Sequence, residues 1–565
     1  MPLNILGIWD GHDAGAALLA GGRLVAAVNE ERFTRRKLEI RFPHASIAAC
    51  LAMAGIKAGA IDIVAVSTSD LAKTLTRVLP SAKERYYLVR RRKAAPGMAA
   101  LATRRLKQRL TRYGSTFLST AISRRAIAAD LRRAGIQTAR IEIFDHHECH
   151  AWCAVSTIGA RSGAILTIDG LGDGLSATTS VYRDDRLTRL TSSPAAHSLG
   201  VFFEHVTMLL NMRELEDEGK VMALADYAPP VPDADNPLLH LLTVHEGRIQ
   251  ARAIGPALER RLRRVHWKFS NEQFAQMAQR AVEAVCADLA RDAVERSGES
   301  TLAVAGGVAS NIKATRAMRL LPEVDALFVF PHMGDGGLAL GAAIACARAS
   351  QDATSIDLSR LDLGPAYPLE ALVSALEARG HAYTQPACIE SAVADLLLQD
   401  GIVLWFEGRM EYGPRALGHR SVLARPDRSA LRDRLNRVLK RRAWYQPFCP
   451  SLLESEAPRL LADWDGPTNP HMTMAYMVTA EHRDRMAGVI GPDGSCRPQI
   501  VADEAAGPFA RLLHQMRARL GTGAVLNTSF NVHGEPLVCT PDDAVDVYLR
   551  SGADALVLGP YLVVR

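Results

Sequence analysis

No two cysteines of this 565-residue chain stand in a Cys-x2-Cys spacing, and the nine present are an odd number scattered from Cys50 to Cys539. That pattern excludes a disulfide framework and a four-cysteine zinc module, and leaves Cys149 and Cys153 as reduced core residues. No run of eighteen consecutive apolar residues occurs, so no membrane-spanning helix is expected. The start, Met1-Pro2-Leu3-Asn4-Ile5-Leu6-Gly7, lacks the basic flank and small-residue cleavage site of a signal peptide, and a cytoplasmic protein is expected. The chain is 48% hydrophobic. At this length that is enough for roughly two to four domains with substantial cores.

A strong net charge is also missing, but the formal +6 conceals one regional outlier. From Lys73 to Arg140 there are eighteen lysines and arginines against Glu84 and Asp130, which leaves the rest of the chain net acidic. Arg90-Arg91-Arg92-Lys93 and Arg104-Arg105-x-Lys107-x-Arg109 alternate with apolar residues. This suits amphipathic helices with a basic face toward an anionic substrate, nucleic acid or a membrane surface, or else a solvated helical insertion.

His146 and His150 lie four residues apart in Asp145-His146-His147-Glu148-Cys149-His150. That offset stacks two imidazoles on one helix face, where they can grip one metal ion. Acids stand where further ligands are needed: Asp169 ends the apolar strand Ala164–Ile168, and Asp335 lies in Pro331-His332-Met333-Gly334-Asp335-Gly336-Gly337, ahead of an Ala-rich helix. Two imidazoles with carboxylates suit Fe(II), Mn(II) or Zn(II).

Strands are expected over Leu3–Ile8, Ala16–Leu19 and Leu24–Asn29, separated by Asp10-Gly11-His12-Asp13 and Gly21-Gly22. The arrangement recurs as Gly163–Ile168, the acidic glycine-rich turn Asp169-Gly170-Leu171-Gly172-Asp173-Gly174, and Ser176–Tyr182. Two such copies are what a duplicated actin-like fold needs to hold phosphates with backbone N–H groups. Ser270 to Arg291 reads as a helix, with Ser270 and Gln273 as a capping box. After a strand at Thr301–Ala305, the turn Gly306-Gly307-Val308-Ala309-Ser310-Asn311 allows close backbone approach, with Asn311 in reach of a base or ribose. Residues 351–368 turn polar and read as a linker; a second domain then runs over 369–565.

The second domain concentrates cations. Glu407-Gly408-Arg409-Met410-Glu411-Tyr412-Gly413-Pro414-Arg415-Ala416-Leu417-Gly418-His419-Arg420-Ser421 follows an apolar strand and combines guanidinium groups with glycines. Phosphate, carbamoyl phosphate or ATP are natural ligands for that composition. Lys440, Arg497 and Leu526-Asn527-Thr528-Ser529-Phe530-Asn531 add further cations, amides and hydroxyls, and Pro447 and Pro450 stiffen the loop between them.

Taken in order, Gly11-His12-Asp13-Ala14, Glu30-Glu31-Arg32-Phe33-Thr34-Arg35, His146-His147-x-x-His150-Ala151, Ile168-Asp169-Gly170, Ser198-Leu199-Gly200, Glu218-Gly219-Lys220-Val221-Met222, Ala305–Asn311, Gly413–Gly418 and Leu526–Asn531 resemble the ATP-dependent O-carbamoyltransferases of the nodulation and antibiotic-tailoring type. The resemblance spans nearly the whole chain. It implies an α/β architecture: a duplicated ASKHA-type (actin-like) domain over 1–350, carrying metal and nucleotide and a basic helical insertion at about 73–140, and a YrdC-like domain over 369–565. In such enzymes the second domain makes carbamoyladenylate from carbamoyl phosphate and ATP with release of pyrophosphate, and the first passes the carbamoyl group to a hydroxyl of a small-molecule or glycan acceptor. By motif, His146, His150, Asp169 and Asp335 would be metal ligands, with Fe(II) foremost. Gly170, Gly306, Gly307 and Asn311 would touch nucleotide, with Glu218 and Lys220 near it. His12 would lie beside the acceptor hydroxyl and Lys37 beside the carbamoyl group. Arg415, Arg420, Ser421, Lys440, Arg497, Asn527, Thr528 and Ser529 would face carbamoyl phosphate and ATP. As a residue type His12 suits a base, since imidazole titrates near neutrality.

Two departures from that family stand out. Gln446 replaces an Arg before Pro447-Phe448-Cys449-Pro450, so a cation is missing or is supplied by Arg441 or Arg442. The basic block is longer than the family pattern and is assigned to an anionic acceptor or peripheral membrane contact; an oligomer is compatible with the sequence. Threonylcarbamoyl transfer to tRNA is the alternative enzyme, with the Gly-Pro-Arg-Ala-Leu-Gly segment against it and nucleic acid therefore not favoured as a partner. A non-catalytic actin-like ATP-binding scaffold is the third reading.

Overall fold

The computed structural model describes residues 2–95, 106, 109–137, 139–159, 162–352 and 355–565. Arg104, Arg105 and Lys107 of the basic block lie outside the described residues. The chain divides into two compact units, residues 1–30 with 38–359 and residues 31–37 with 360–565. The short stretch 31–37, expected with the first domain, thus belongs to the second unit. Its arginines explain why: Arg32 Nη2 donates to the Gly413 carbonyl at 2.8 Å, and Arg35 donates to the carbonyls of Leu537 and Pro536 at 2.5 and 3.0 Å.

In the first unit, β1 (Ile5–Trp9), β2 (Gly15–Ala20), β3 (Arg23–Asn29), β4 (Ile63–Ser67) and β5 (Arg140–Phe144) form one sheet in the order β3-β2-β1-β4-β5. The first three strands are an antiparallel meander, and β4 and β5 continue parallel to β1. A second sheet repeats this plan. It contains β6 (Ser162–Gly172), β7 (Leu175–Arg183), β8 (Arg186–Pro194), β11 (Thr301–Ala305) and β12 (Ala326–Val329), in the order β12-β11-β6-β7-β8; the hairpin β9 (Leu242–His245) and β10 (Arg248–Ala251) stands apart. Again a meander is followed by two parallel strands beside its first member. This repetition is the duplicated actin-like plan, and it emerges because the first strand of each meander is buried over its middle, as Ile5–Trp9 and residues 163–168 are, and so can sit mid-sheet.

The expected helix after Ser270 runs further than Arg291, over Asn271–Ser297, with both halves of the Ser270–Gln273 capping box made and Gly298 ending it in the left-handed region. The extra turns bury Ala293 and Val294, so packing extends what the cap begins.

The second unit is built on a seven-stranded mixed sheet, β18-β15-β19-β14-β13-β20-β21, from β13 (Val403–Phe406), β14 (Arg420–Ala424), β15 (Cys449–Leu453), β18 (Gln499–Val501), β19 (Ala524–Ser529), β20 (Ala555–Leu558) and β21 (Tyr561–Val564); β16 (Tyr476–Met477) and β17 (Ser495–Cys496) pair separately. The helices Ile389–Leu398 and Pro508–Leu520 contribute Val393, Leu397, Leu512 and Leu513 to a core with Trp405, Val525 and Val557. Among the described residues no helix is long and apolar enough to cross a membrane.

Candidate functional site

In the first unit the helix His146–Val155 begins at Asp145, whose side chain accepts from the Glu148 N–H at 2.9 Å. The cap fixes the first turn, so His146 and His150 project together. His146 and His150 meet Asp169 from β6 and Asp335 from the loop before the helix Leu338–Ala349; all four are buried, and one ligand atom of each lies within 4.8 Å of the others. His146 Nε2 is 3.2 Å from Asp169 Oδ2 and 3.7 Å from Asp335 Oδ1, and His150 Nε2 is 3.7 Å from the same Asp335 oxygen. Among the described residues neither ring nitrogen of His150 has a hydrogen-bond partner. A buried imidazole with free nitrogens is costly unless a cation takes a lone pair, so the donor set fits a divalent ion. Burial opposes the charged form of His146, but the Asp335 and Asp169 carboxylates outweigh it and raise its pKa to about 9.

Gly172 makes this packing possible, because a Cβ there would lie 2.1 Å from the His146 ring. Behind the ligands, Asp169 Oδ1 accepts from the Gly307 N–H at 2.8 Å and Asp173 Oδ2 from the His146 N–H at 2.8 Å. Asp173 is a support that sequence reasoning missed, although it sits in the acidic glycine-rich turn already singled out. His147 points elsewhere, its Nδ1 2.7 Å from the Thr167 hydroxyl.

His12 joins this cluster through Asp335, with Nε2 3.2 Å from Oδ2 and Nδ1 3.3 Å from Asp13 Oδ2. Burial disfavours its cation, yet Asp335 and Asp13 leave its pKa above that of a free imidazole.

The basic block departs from the expected outward-facing helix surface. Arg77 binds Asp10 through two hydrogen bonds of 2.9 Å, Lys73 Nζ sits 2.8 Å from the same carboxylate and 3.9 Å above the Trp9 ring, and Lys83 donates to the Asp10 carbonyl. Arg90 pairs with Glu204 and Glu214, and Arg91 with Glu216. Five cations assigned to an anionic acceptor or membrane are therefore turned inward, four against carboxylates and Lys83 against a backbone carbonyl, partners that only the fold brings near. Arg85, Arg112, Arg124, Arg125, Arg132 and Arg133 remain exposed.

On the nucleotide side, Gly306 adopts φ +99°, and its N–H donates to the Met333 carbonyl at 2.7 Å. Only glycine tolerates that angle with the Ile168 carbonyl so close that a Cβ would approach it to 2.3 Å. Gly170 follows Asp169, and its carbonyl accepts from the Ser198 hydroxyl at 2.6 Å. Asn311 differs from expectation. Its Oδ1 caps the helix Ile312–Arg319 by accepting from the Ala314 N–H, and it exchanges hydrogen bonds of 2.9 and 3.0 Å with Gln279, so the amide is already engaged. Lys220 is paired with Asp217 at 2.8 Å. Glu218 accepts from the Leu215 N–H at 2.8 Å, while its burial, followed by the nearby Glu204 charge, raises its pKa to about 7.

A carboxyl group whose pKa rises on folding favours the native state while protonated. That contribution is present below the unfolded value near 4.5 and is lost as pH climbs through about 7. Glu218→Gln is therefore expected to match the parent at pH 5 and exceed it at pH 8 by roughly 2 kcal/mol, read by urea denaturation at the two pH values.

In the second unit the expected anion residues fall into two groups. Arg420 is fully buried and is a structural staple: Nη1 donates to the Glu407 carbonyl at 2.8 Å, Nη2 to Gly408 at 3.1 Å, and its guanidinium stacks 3.5 Å above Phe406. Ser421 accepts from the Gly418 N–H at 3.1 Å. Lys440 donates to the Ser529 carbonyl and to the Asn531 side chain, the latter at 2.7 Å, and Asn527 donates to Ala416, Ser451 and Gln499. Burial, then Arg442 and Lys37, holds the Lys440 ammonium well below its usual pKa, which places Lys37 in this unit's cation cluster. By contrast, the Nε of Arg415 has no hydrogen-bond partner among the described residues, and Thr528 and Ser529 are half-buried. Where Gln446 replaces the expected arginine, Arg442 stacks 4.2 Å over Phe448 in the same loop. It is one of the two residues expected to supply the missing charge; the other, Arg441, is exposed.

The first unit is thus an actin-like module with a buried His/Asp centre beside a glycine-rich turn, and the second is an α/β module rich in inward arginines. Residues 4–344 match the model for the carbamoyltransferase N-terminus and residues 394–565 that for the carbamoyltransferase C-terminus, so the chain belongs to the carbamoyltransferase family and is a carbamoyltransferase enzyme. It is 31% identical to nodulation protein NolNO of Sinorhizobium fredii over 98% of this chain and 79% of that protein. It is 32% identical to nodulation protein NolO of Bradyrhizobium diazoefficiens over 74% and 78%, respectively. Among solved structures it is similar to HypF of T. kodakarensis, at 13% identity and TM-score 0.34, covering 63% of this chain and 49% of that one.

Proposed function

We propose that this carbamoyltransferase uses carbamoyl phosphate and ATP to carbamoylate a hydroxyl group. The observation that carries the reading is His12 on Asp335, the carboxylate that also completes the His146, His150 and Asp169 set, which puts a base beside a metal-type centre. In the second unit, Arg415, Arg442 and Arg497 would receive the phosphate oxygens, while Lys440 and Arg420 shape the pocket through backbone carbonyls. There carbamoyl phosphate gives up its phosphate to water, the resulting carbamate oxygen attacks the α-phosphorus of ATP, and pyrophosphate leaves. Carbamoyladenylate is then a mixed anhydride with a good leaving group. At the first unit the acceptor oxygen attacks the carbamoyl carbon, AMP departs, and the hydroxyl proton passes to His12. A divalent ion held by His146, His150, Asp169 and Asp335 supplies Lewis acidity when bound. The Gly306-Gly307 turn, bare of side chains, would let a nucleotide approach the backbone closely.

The test is exchange of labelled pyrophosphate into ATP. Exchange that requires carbamoyl phosphate is expected; exchange that requires threonine and bicarbonate, or none, overturns the reading. His12→Gln should keep that exchange at the parent rate and slow transfer to the acceptor by about 10²- to 10⁴-fold, the range a general base contributes.

A further inference from the structure

Cys449 opens β15 inside the arginine cluster of the second unit and is nearly enclosed. Its sulfur accepts from both forks of Arg497, Nε at 3.2 Å and Nη2 at 3.0 Å. Arg442 stacks on the preceding residue, Phe448. Burial and then Arg497 hold Arg415 below its ordinary pKa, and the Cys449 sulfur acts in the opposite direction; for Arg442, likewise, burial lowers the value and Cys449 raises it. Guanidinium groups stay charged in proteins, so three cations converge here and the sulfur is the counter-group they share. A second, independent feature lies directly across the sheet. Asn527 is the antiparallel register partner of Cys449, so the two side chains share one face. Asn527 is 1% exposed, yet its Oδ1 has no hydrogen-bond donor among the described residues.

We propose that Cys449, gripped by this arginine cluster, is a site of oxidation by hydroperoxides to sulfenic acid. Cationic neighbours stabilise the thiolate, the form that attacks peroxide. The sulfur lone pair attacks one peroxide oxygen, the S–O bond forms as the O–O bond breaks, and hydroxide leaves. Sulfur loses two electrons and peroxide gains them. The transferred oxygen keeps its hydrogen, so the S–O–H product carries an O–H donor of the kind that Asn527 Oδ1 lacks. Nothing in this step depends on which acyl group the pocket activates.

Cys388 provides the internal control, since it is exposed and its sulfur faces the Glu390 carboxylate at 3.2 Å instead of a cation. The full-length protein is treated with hydrogen peroxide and dimedone, and adduct formation at each cysteine is followed by peptide mass spectrometry. Cys449 is expected to react at least about tenfold faster than Cys388, the order of effect that cationic neighbours have on thiol reactivity. Arg497→Gln should slow Cys449 by a similar factor and leave Cys388 unchanged. A Cys449 rate in the parent protein no greater than that of Cys388 overturns the proposal, whatever the folding of the variant. So does a Cys449 rate untouched by Arg497→Gln in a variant whose Cys388 rate matches the parent.

Discussion

Protein carrying His150→Ala is expected to lose its bound divalent ion and, with it, transfer to the acceptor, while carbamoyl-phosphate-dependent pyrophosphate exchange continues. His150 is the ligand candidate without a hydrogen bond, since it is buried, both ring nitrogens lack hydrogen-bond partners among the described residues, and Asp335 approaches no closer than 3.7 Å. Removing one of four donors lowers affinity by about two orders of magnitude or more, judging from the 10- to 100-fold effects of groups one layer further out. The primary readout is metal per chain by elemental analysis after dialysis against a fixed free-ion concentration. The direction of the stability change separates ligand from scaffold. Alanine removes two buried unpaired nitrogens, so the ion-free variant should be no less stable than the ion-free parent by more than its cavity cost. Full metal occupancy in the variant would exclude His150 from the centre.

Asp10→Ala is expected to be the most destabilising single polar substitution in the first unit, at about 3–5 kcal/mol, because it strips the counter-charge from a buried cluster. Burial opposes the Asp10 carboxylate, but Arg77, Lys73 and Lys83 outweigh it and hold its pKa well below the ordinary value. Lys73 responds the other way, since burial together with Lys83 and Arg77 brings its ammonium well below normal despite Asp10. The carboxylate is therefore indispensable and Lys73 is the surplus cation. Lys73→Met should change stability by less than about 1 kcal/mol, replacing a strained ammonium over Trp9 by a thioether of similar length. Chemical denaturation of both variants checks this. Equal losses would show that the cluster is held by the Lys73 pair rather than by the Arg77 fork. The depressed Asp10 pKa also fixes the sign with pH: its stabilisation is present above the unfolded carboxylate value and is lost as pH falls below it.

Spacing alone made the metal-type centre legible. His146 and His150 share a helix face by periodicity, and Asp169 and Asp335 are marked by their place at the end of a strand and in a glycine-rich loop. The duplication is legible too, as two runs of strand, acidic turn and strand. The Ser270 cap is readable because its hydrogen bonds are local. Asn311 and Arg420 have protein partners that the sequence does not reveal, for a common reason. A sequence gives donors and acceptors but not which are already spent, and these two satisfy Gln279 with a helix end and a set of backbone carbonyls. The basic block departs in the same way, since charge counting assumes exposure.

The sequence by itself determined the family, the two-part α/β plan and the four ligand-type residues, because these rest on periodicity, local caps and ordered motifs that do not depend on distant neighbours. Only the tertiary structure decided that residues 31–37 belong with the second unit, that Asp10 neutralises Lys73 and Arg77, and that Arg497 grips the Cys449 sulfur. Those pairings join positions up to several hundred residues apart, and their energies come from excluding water around charges that meet only after the chain has folded.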